Sequence, residues 1–351
     1  MITDFTAVDA EVAASLVDPQ CPDVYFTSGY GAAAAIADGG TWQVGHWQGQ
    51  VIVPYVLRHV DDATLDAISP YGYSGIYAAP DCSPTDFARF WSQAVAHLRD
   101  VGVVTMFLRF SPLDMTSIEA ARGLAAIEMV RRGDTITVPV EEGASRVWKA
   151  MEGRCRTAIR KAHNAGMKGE IRLIGAADVS SGSTFRRLYE ETMVRVGGSP
   201  GYVFRDAYYH RLVDGLGKGL FMAEVRDPSG DVVSSALVLR HRDRAHYHLA
   251  GSDQGPSRFG ANNLLLWTIL QWAAESGCVV VHLGGGLRPD DSLFLFKRSF
   301  GGARTPFWTG AVVLDVARYD ALLAEHAKTI GRSIEDLRTS GFFPGYRLGR
   351  S

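Results

Sequence analysis

Phe296-Lys297-Arg298 follows a run of three glycines, Gly284-Gly285-Gly286, and a short acidic step, Asp290-Asp291. A lysine fixed beside a glycine loop can stabilise negative charge that develops on a carbonyl oxygen. Glycines also let backbone N–H groups come close to an acyl carbonyl or a phosphate. The plainer reading is a tight turn followed by a surface Lys-Arg pair beside a core Phe. Asp290 and Asp291 stand near enough in sequence to orient the ammonium of an acceptor molecule.

A second cluster is basic. Residues 146–172 carry Arg146, Lys149, Arg154, Arg156, Arg160, Lys161, Lys168 and Arg172 against Glu152 and Glu170. Arg156 and Arg160 stand four apart, where like charges on one helix repel slightly. Such a face suits a phosphate backbone, or else it is a solvated face paired with acids elsewhere. A third cluster is aromatic: Tyr71 and Tyr73 in the loop Ser69–Tyr77 either line a pocket or pack on each other. His246, His248 and His282 fall in strand patterns, with His246 and His248 on one face. The order of Ser, Cys, His and Asp offers no nucleophilic triad, so no covalent intermediate is expected.

The bulk properties narrow the class. The chain has 351 residues, which points to two domains, and its hydrophobic and charged shares are ordinary for a globular protein. A net charge of −2 argues against non-specific binding to DNA but leaves room for a local basic patch. Cys21, Cys82, Cys155 and Cys278 are widely spaced and read as free thiols in a reducing compartment, with no metal-ligand spacing. The N-terminus lacks the pattern of a signal peptide and no run is long enough to span a membrane, so a cytoplasmic protein is expected.

The elements that must position these residues follow from periodicity. A short strand at VYFTSGY precedes an Ala-rich helix to about residue 37, and two strands lie within 42–60. Phe87, Phe90, Trp91, Val95 and Leu98 mark a helix, 101–110 a buried strand, 115–131 a helix and 134–140 a strand. The second half repeats this rhythm. Helices are expected over 144–166, 183–196 and 206–216, with a strand near 169–174 after the first of them. Three meandering strands, GLFMAEVRD, DVVSSALVLRHRD and RAHYHLAGSD, follow. A helix over 262–277, a strand over 278–286 and a last strand over 309–315 complete the pattern. The tail reads as helical to about Leu337 and frayed beyond.

Several stretches together resemble the FemABX, or Fem-like, family of the tandem GNAT-like acyltransferases. They are Trp148 with Arg156-x-x-Ile159-Arg160-Lys161-Ala162, then Phe185-x-x-Leu188-Tyr189-x-x-Thr192, and Tyr208-Tyr209. Tyr247-His248-Leu249-x-Gly251-Ser252, His282-Leu283-Gly284-Gly285-Gly286 and Phe296-Lys297-Arg298-x-Phe300-Gly301 follow, with Ser69-Pro70-Tyr71-Gly72-Tyr73 upstream. The resemblance implies an α/β (α+β) fold of two GNAT-like domains, each a mixed, largely antiparallel sheet flanked by helices. The expected bounds are 1–142 for the acceptor side and 143–316 for the acyl-donor side. Residues 317–351 form a C-terminal helix and tail packing back on the first domain.

The resemblance further implies transfer of an aminoacyl group from aminoacyl-tRNA, as co-substrate, to an amine, forming an amide. The acceptor would be a small antibiotic-like or natural-product molecule or a peptidoglycan precursor, and no other cofactor or metal is called for. On this reading Lys297 stabilises the reacting ester and Phe296 positions the terminal adenine or shields the site. Tyr71, Tyr73, Gly284, Gly285, Gly286, Arg298, Asp291 and Tyr247 would contact substrate. Arg154, Arg156, Arg160, Lys161 and Arg258 would contact tRNA. An acyl-CoA-dependent N-acyltransferase on the same fold is the alternative, with acetyl-CoA as donor. The segment 251–263 offers only an imperfect pyrophosphate loop in Gln254, Arg258, Gly260 and Ala261. A non-catalytic binding protein on a decayed GNAT fold is the reading from another class.

Overall fold

A computed structural model of the chain describes residues 5–124, 126–198, 200–257 and 259–349. The chain folds into two compact units, one of Met1–Arg132 with Phe307–Ser351 and one of Gly133–Pro306. In the first, β1 (Thr6–Asp9), α1 (Ala10–Leu16), α2 (Ser28–Asp38), β2 (Thr41–Trp47) and β3 (Val51–His59) come in order. Then follow β4 (Leu65–Ile68), β5 (Tyr77–Ala78), α3 (Pro84–Asp100), β6 (Val103–Arg109) and α4 (Met115–Arg122). The chain passes into the second unit within β7 (Glu128–Pro139).

The second unit continues with α5 (Ala144–Ala150), α6 (Gly153–Asn164), β8 (Lys168–Leu173), α7 (Ala176–Val179), α8 (Thr184–Arg195) and α9 (Asp206–Leu216). The meander β9 (Leu220–Arg226), β10 (Val232–His241) and β11 (Arg244–Ser252) follows. It leads through α10 (Gln254–Ser257) to α11 (Ala261–Glu275), β12 (Val280–Gly284) and α12 (Ser292–Arg298). The chain returns to the first unit within β13 (Ala303–Val313) and ends in α13 (Val316–Ile330) and α14 (Ile334–Thr339).

Apart from the short β5, α7 and α10, β1 to α4 of the first unit and β8 to α12 of the second share one element order: strand, two helices, three strands, helix, strand, helix. The strand order is β1-β2-β3-β4-β6-β13 in the first and β8-β9-β10-β11-β12-β7 in the second. In each, the strands on either side of the long helix, β4 with β6 and β11 with β12, pair in parallel. A parallel pair needs a crossover, and α3 and α11 supply it. Ser83 starts α3 by accepting the Asp86 N–H, with Pro84 in the first turn. Its Phe87, Phe90, Trp91, Ala94 and Leu98 bury one face in a core with Tyr55, Met106 and Leu108. α11 is apolar on most sides, and Leu264, Leu265, Ile269 and Leu270 join Ile159 of α6 and Val238 and Val281 of the sheet in one core. Each such side chain, fully buried, stabilises by about 1.5–3 kcal/mol.

Four local expectations are corrected. Val24–Phe26 is a short 3-10 turn, because all three side chains are buried and Thr27 starts α2 immediately by accepting the Tyr30 N–H. The helix expected over 115–131 stops at Arg122, and Glu128 begins a strand. Its polar start has helix-like composition, yet a distant partner holds it extended: Arg132 Nε donates to Thr309 Oγ1 at 2.9 Å. The helix expected over 144–166 breaks at Met151, which is extended, into α5 and α6. The tail beyond Leu337 is anchored, with Tyr346 1% exposed and its hydroxyl 2.7 Å from Thr105 Oγ1, and Arg347 Nε 2.7 Å from Asp66 Oδ2.

Candidate active site

The parallel pair β11/β12 of the second unit is short. Arg244 faces Val280, Ala245 faces Val281 and His246 faces His282. β11 runs on to Ser252, whereas β12 ends at Gly284, whose positive φ of 71° turns the chain aside. A left-handed position of this kind favours glycine. Tyr247 therefore stands on β11 just past the last paired position.

Lys297 reaches this point from α12. It is 7% exposed, its Nζ donates to the Gly285 carbonyl at 2.7 Å, and the same atom lies 5.7 Å from the Tyr247 ring centre. Burial pushes its pKa down to about 8, with Asp291 pulling the other way. A lysine so held is still largely an ammonium at neutral pH, aimed by a carbonyl and an aromatic face. Burial also raises the Tyr247 phenol, so that residue stays neutral.

Asp291 caps α12. Its Oδ1 accepts the Phe294 N–H at 2.8 Å, and its Oδ2 accepts those of Leu287 and Arg288 at 2.7 and 2.9 Å. Burial would raise its pKa, but these backbone donors outweigh it and hold the carboxyl low. A Cβ on Gly286 would lie 2.1 Å from Oδ1, so a glycine is needed for the carboxylate to close. Lys297, Asp291, Tyr247 and the three glycines are thus gathered within one unit. Phe296 is half-buried, its ring 5.5 Å from that of Phe300. Arg298 is half-buried and has no ion-pair partner among the described residues.

The basic helix is less uniform than its sequence. Arg156 turns inward and donates to the Met151 carbonyl and, at 3.4 Å, to that of Trp148, closing the end of α5. Arg154 is exposed and pairs with Glu152 at 2.7 Å. Arg160 and Lys161 are exposed and lie over the rings of Trp148 and Phe259, at 5.4 and 5.3 Å. Arg258 lies outside the described residues. Tyr71 and Tyr73 belong to the first unit. The Tyr71 carbonyl accepts from the Tyr30 hydroxyl at 2.5 Å, and the Tyr73 ring stands edge-on to Tyr25 and Phe307.

Two features escaped sequence reasoning. Arg304 bridges Asp134, at 3.4 Å, and Asp290, and lies 4.8 Å over the Phe294 ring, bracing the loop before α12. Next to Tyr247 on β11, the His248 ring stands 2.9 Å from the Tyr208 hydroxyl. Burial drives its pKa down to about 3, with His246 adding to the effect, so His248 acts as a neutral hydrogen-bonding group. Neither arrangement has a local sequence signal, because each joins residues far apart in the chain.

Residues 152–292 match the acetyltransferase (GNAT) domain family. No curated protein matches by sequence. FemX is similar in structure, with a TM-score of 0.68 at 12% identity over 90% of this chain and 99% of its own. The chain has a Fem-like tandem GNAT fold. The C-terminal domain of a protein assigned as a lysylphosphatidylglycerol synthetase from Agrobacterium fabrum aligns with a TM-score of 0.55 and 16% identity, over 92% of this chain and 96% of its own. L-PGS from Bacillus licheniformis aligns with a TM-score of 0.50 and 12% identity, over 80% and 86%. Lys297 stands where β11 and β12 part. No group of His, Cys, Asp or Glu among the described residues could hold a metal ion, and none of their helices is long and apolar enough to cross a membrane.

Proposed function

We propose that this protein is an aminoacyltransferase that moves an aminoacyl group from aminoacyl-tRNA to the amine of a small natural product or a peptidoglycan precursor. The observation that carries this reading is the buried ammonium of Lys297, fixed at the point where β11 and β12 part. The acceptor nitrogen forms a bond to the ester carbonyl, and the carbonyl carbon–oxygen bond to the tRNA breaks. The leaving oxygen departs as the tRNA terminal hydroxyl, with the proton that the attacking amine gives up. Negative charge gathers on the carbonyl oxygen between these events, and Lys297 stabilises it. Such a preorganised charge contributes about 3–4 kcal/mol in a water-poor site. Exposed Arg160 and Lys161 are read as contacts for the tRNA backbone.

The match of residues 152–292 to the acetyltransferase domain favours a second reading, an acyl-CoA donor in the same cleft. One assay separates them. The protein is mixed with tRNA charged with labelled amino acids and with candidate amines, and amide formation is followed with and without RNase. The first reading expects product that RNase abolishes. Product that survives RNase and requires acyl-CoA establishes the second reading instead.

A further inference from the structure

The acid that precedes α12 has a role in the site that a simple helix cap does not explain. Ser292–Arg298 is a short helix, and one hydrogen bond, donated by the Phe294 N–H to Asp291, would cap it. The second carboxylate oxygen instead takes the N–H groups of Leu287 and Arg288, in the middle of the loop that carries the Lys297 acceptor. Gly286 lies between that acceptor and those donors, and its missing Cβ is what lets the carboxylate sit against the loop.

We propose that Asp291 is a positioning residue for Lys297: its carboxylate folds residues 285–288 so that the Gly285 carbonyl meets the Lys297 ammonium, and its charge favours that ammonium. The inference rests on the reading of Lys297 as the charge-stabilising group, and it concerns the loop that aims it. Two titratable groups bear on Lys297 among the described residues. Tyr247, from β11, is kept neutral by burial, and Asp291 supplies the opposing negative charge. Arg298, adjacent on α12, is a cation and cannot replace the carboxylate. An asparagine at 291 can still cap the helix, but its amide group offers one accepting oxygen and no charge. It cannot serve the helix and the loop together.

The test uses the full chain and two variants, Asp291→Asn and Gly286→Ala. The alanine methyl would press on Oδ1 and displace the carboxylate without removing its charge. Reaction of Lys297 with an acylating reagent is measured against pH by peptide mass spectrometry, and turnover is measured in parallel. In the parent protein the labelling midpoint is expected at about 8. In Asp291→Asn the midpoint should move to lower pH, because the ammonium loses its counter-charge, and turnover should fall roughly tenfold or more. Gly286→Ala should lower turnover in the same sense with a smaller shift of the midpoint. An unchanged midpoint and unchanged turnover in folded Asp291→Asn overturn the proposal. If that variant does not fold, normal turnover and an unchanged midpoint in Gly286→Ala overturn it. If Lys297→Ala itself retains full activity, the functional reading fails. The labelling shift still decides whether Asp291 aims Lys297.

Discussion

The two units solve the same local problem differently. In the second, the parallel pair β11/β12 keeps three facing positions, then parts at a left-handed glycine, and a lysine from the following helix fills the mouth. In the first, the corresponding pair β4/β6 stays closed beyond Ile68. Ser69 donates its N–H to the Phe107 carbonyl at 2.7 Å and accepts the Arg109 N–H on its hydroxyl at 3.1 Å. The Arg109 guanidinium donates to the Ser69 carbonyl at 2.7 Å, and Ser74 bridges Phe110. The loop that leaves β6 has no glycine, and the helix after it has no lysine. Both helices begin on an aspartate cap. Asp114 turns its second oxygen to the Ser117 hydroxyl at 2.5 Å, whereas Asp291 turns its own to the loop. One aspartate spends both oxygens on its own helix start, and the other divides them between the helix and the preceding loop.

Four experiments break or sharpen this contrast. The largest effect is expected from Lys297→Met, which keeps the volume and removes the charge. Turnover in the charged-tRNA assay should fall about a hundredfold to a thousandfold, while the thermal midpoint holds or rises because no ion need be buried. Near-normal turnover would show that the Lys297 charge in the open pair takes no part in the chemistry.

The next test is pH. Lys297 acts as an ammonium, so the rate should fall as pH rises through about 8. Its folded pKa lies below the ordinary lysine value of 10.5, so between the two the unfolded chain holds more protons than the folded one. Stability should therefore increase with pH across that window, and this increase should vanish in Lys297→Met. Chemical denaturation at a series of pH values measures it.

A smaller effect is expected at the basic helix. Arg160→Ala with Lys161→Ala should weaken use of charged tRNA several-fold at moderate salt and flatten the salt dependence of KM, by about one phosphate contact per residue. An unaltered salt slope would remove this face from the donor site. Smallest for turnover is Ser69→Ala in the closed pair. Losing the hydroxyl that receives the Arg109 N–H should cost about 1–3 kcal/mol of stability, read by urea unfolding, with turnover unchanged. A fall in turnover without loss of stability would mean that the first pair is more than a structural seam.

Much of the fold was legible along the chain. The period of Phe87, Phe90, Trp91, Val95 and Leu98 marks α3, and the meander β9 to β11 stands between clear turns. The first part of β7 was not legible, because Glu128, Arg131 and Arg132 suit an exposed helix and only a neighbouring strand makes them extended. The site was legible in part. Lys297, Asp291 and the glycine run are close in sequence and meet in space, whereas Tyr247 joins them only through the pairing of β11 with β12.

By itself the sequence determined which groups could act: a lysine after a glycine loop, an aspartate at a helix start and a basic segment. Those facts are local, set by residue type and spacing. Tertiary structure decided how each group behaves. It buried Lys297 and pushed its pKa down, turned Arg156 inward onto α5 while leaving Arg160 and Lys161 outside, and engaged both oxygens of Asp291. The reason is that desolvation and charge pairing depend on what the rest of the chain brings within a few ångströms, and spacing along the sequence does not encode that.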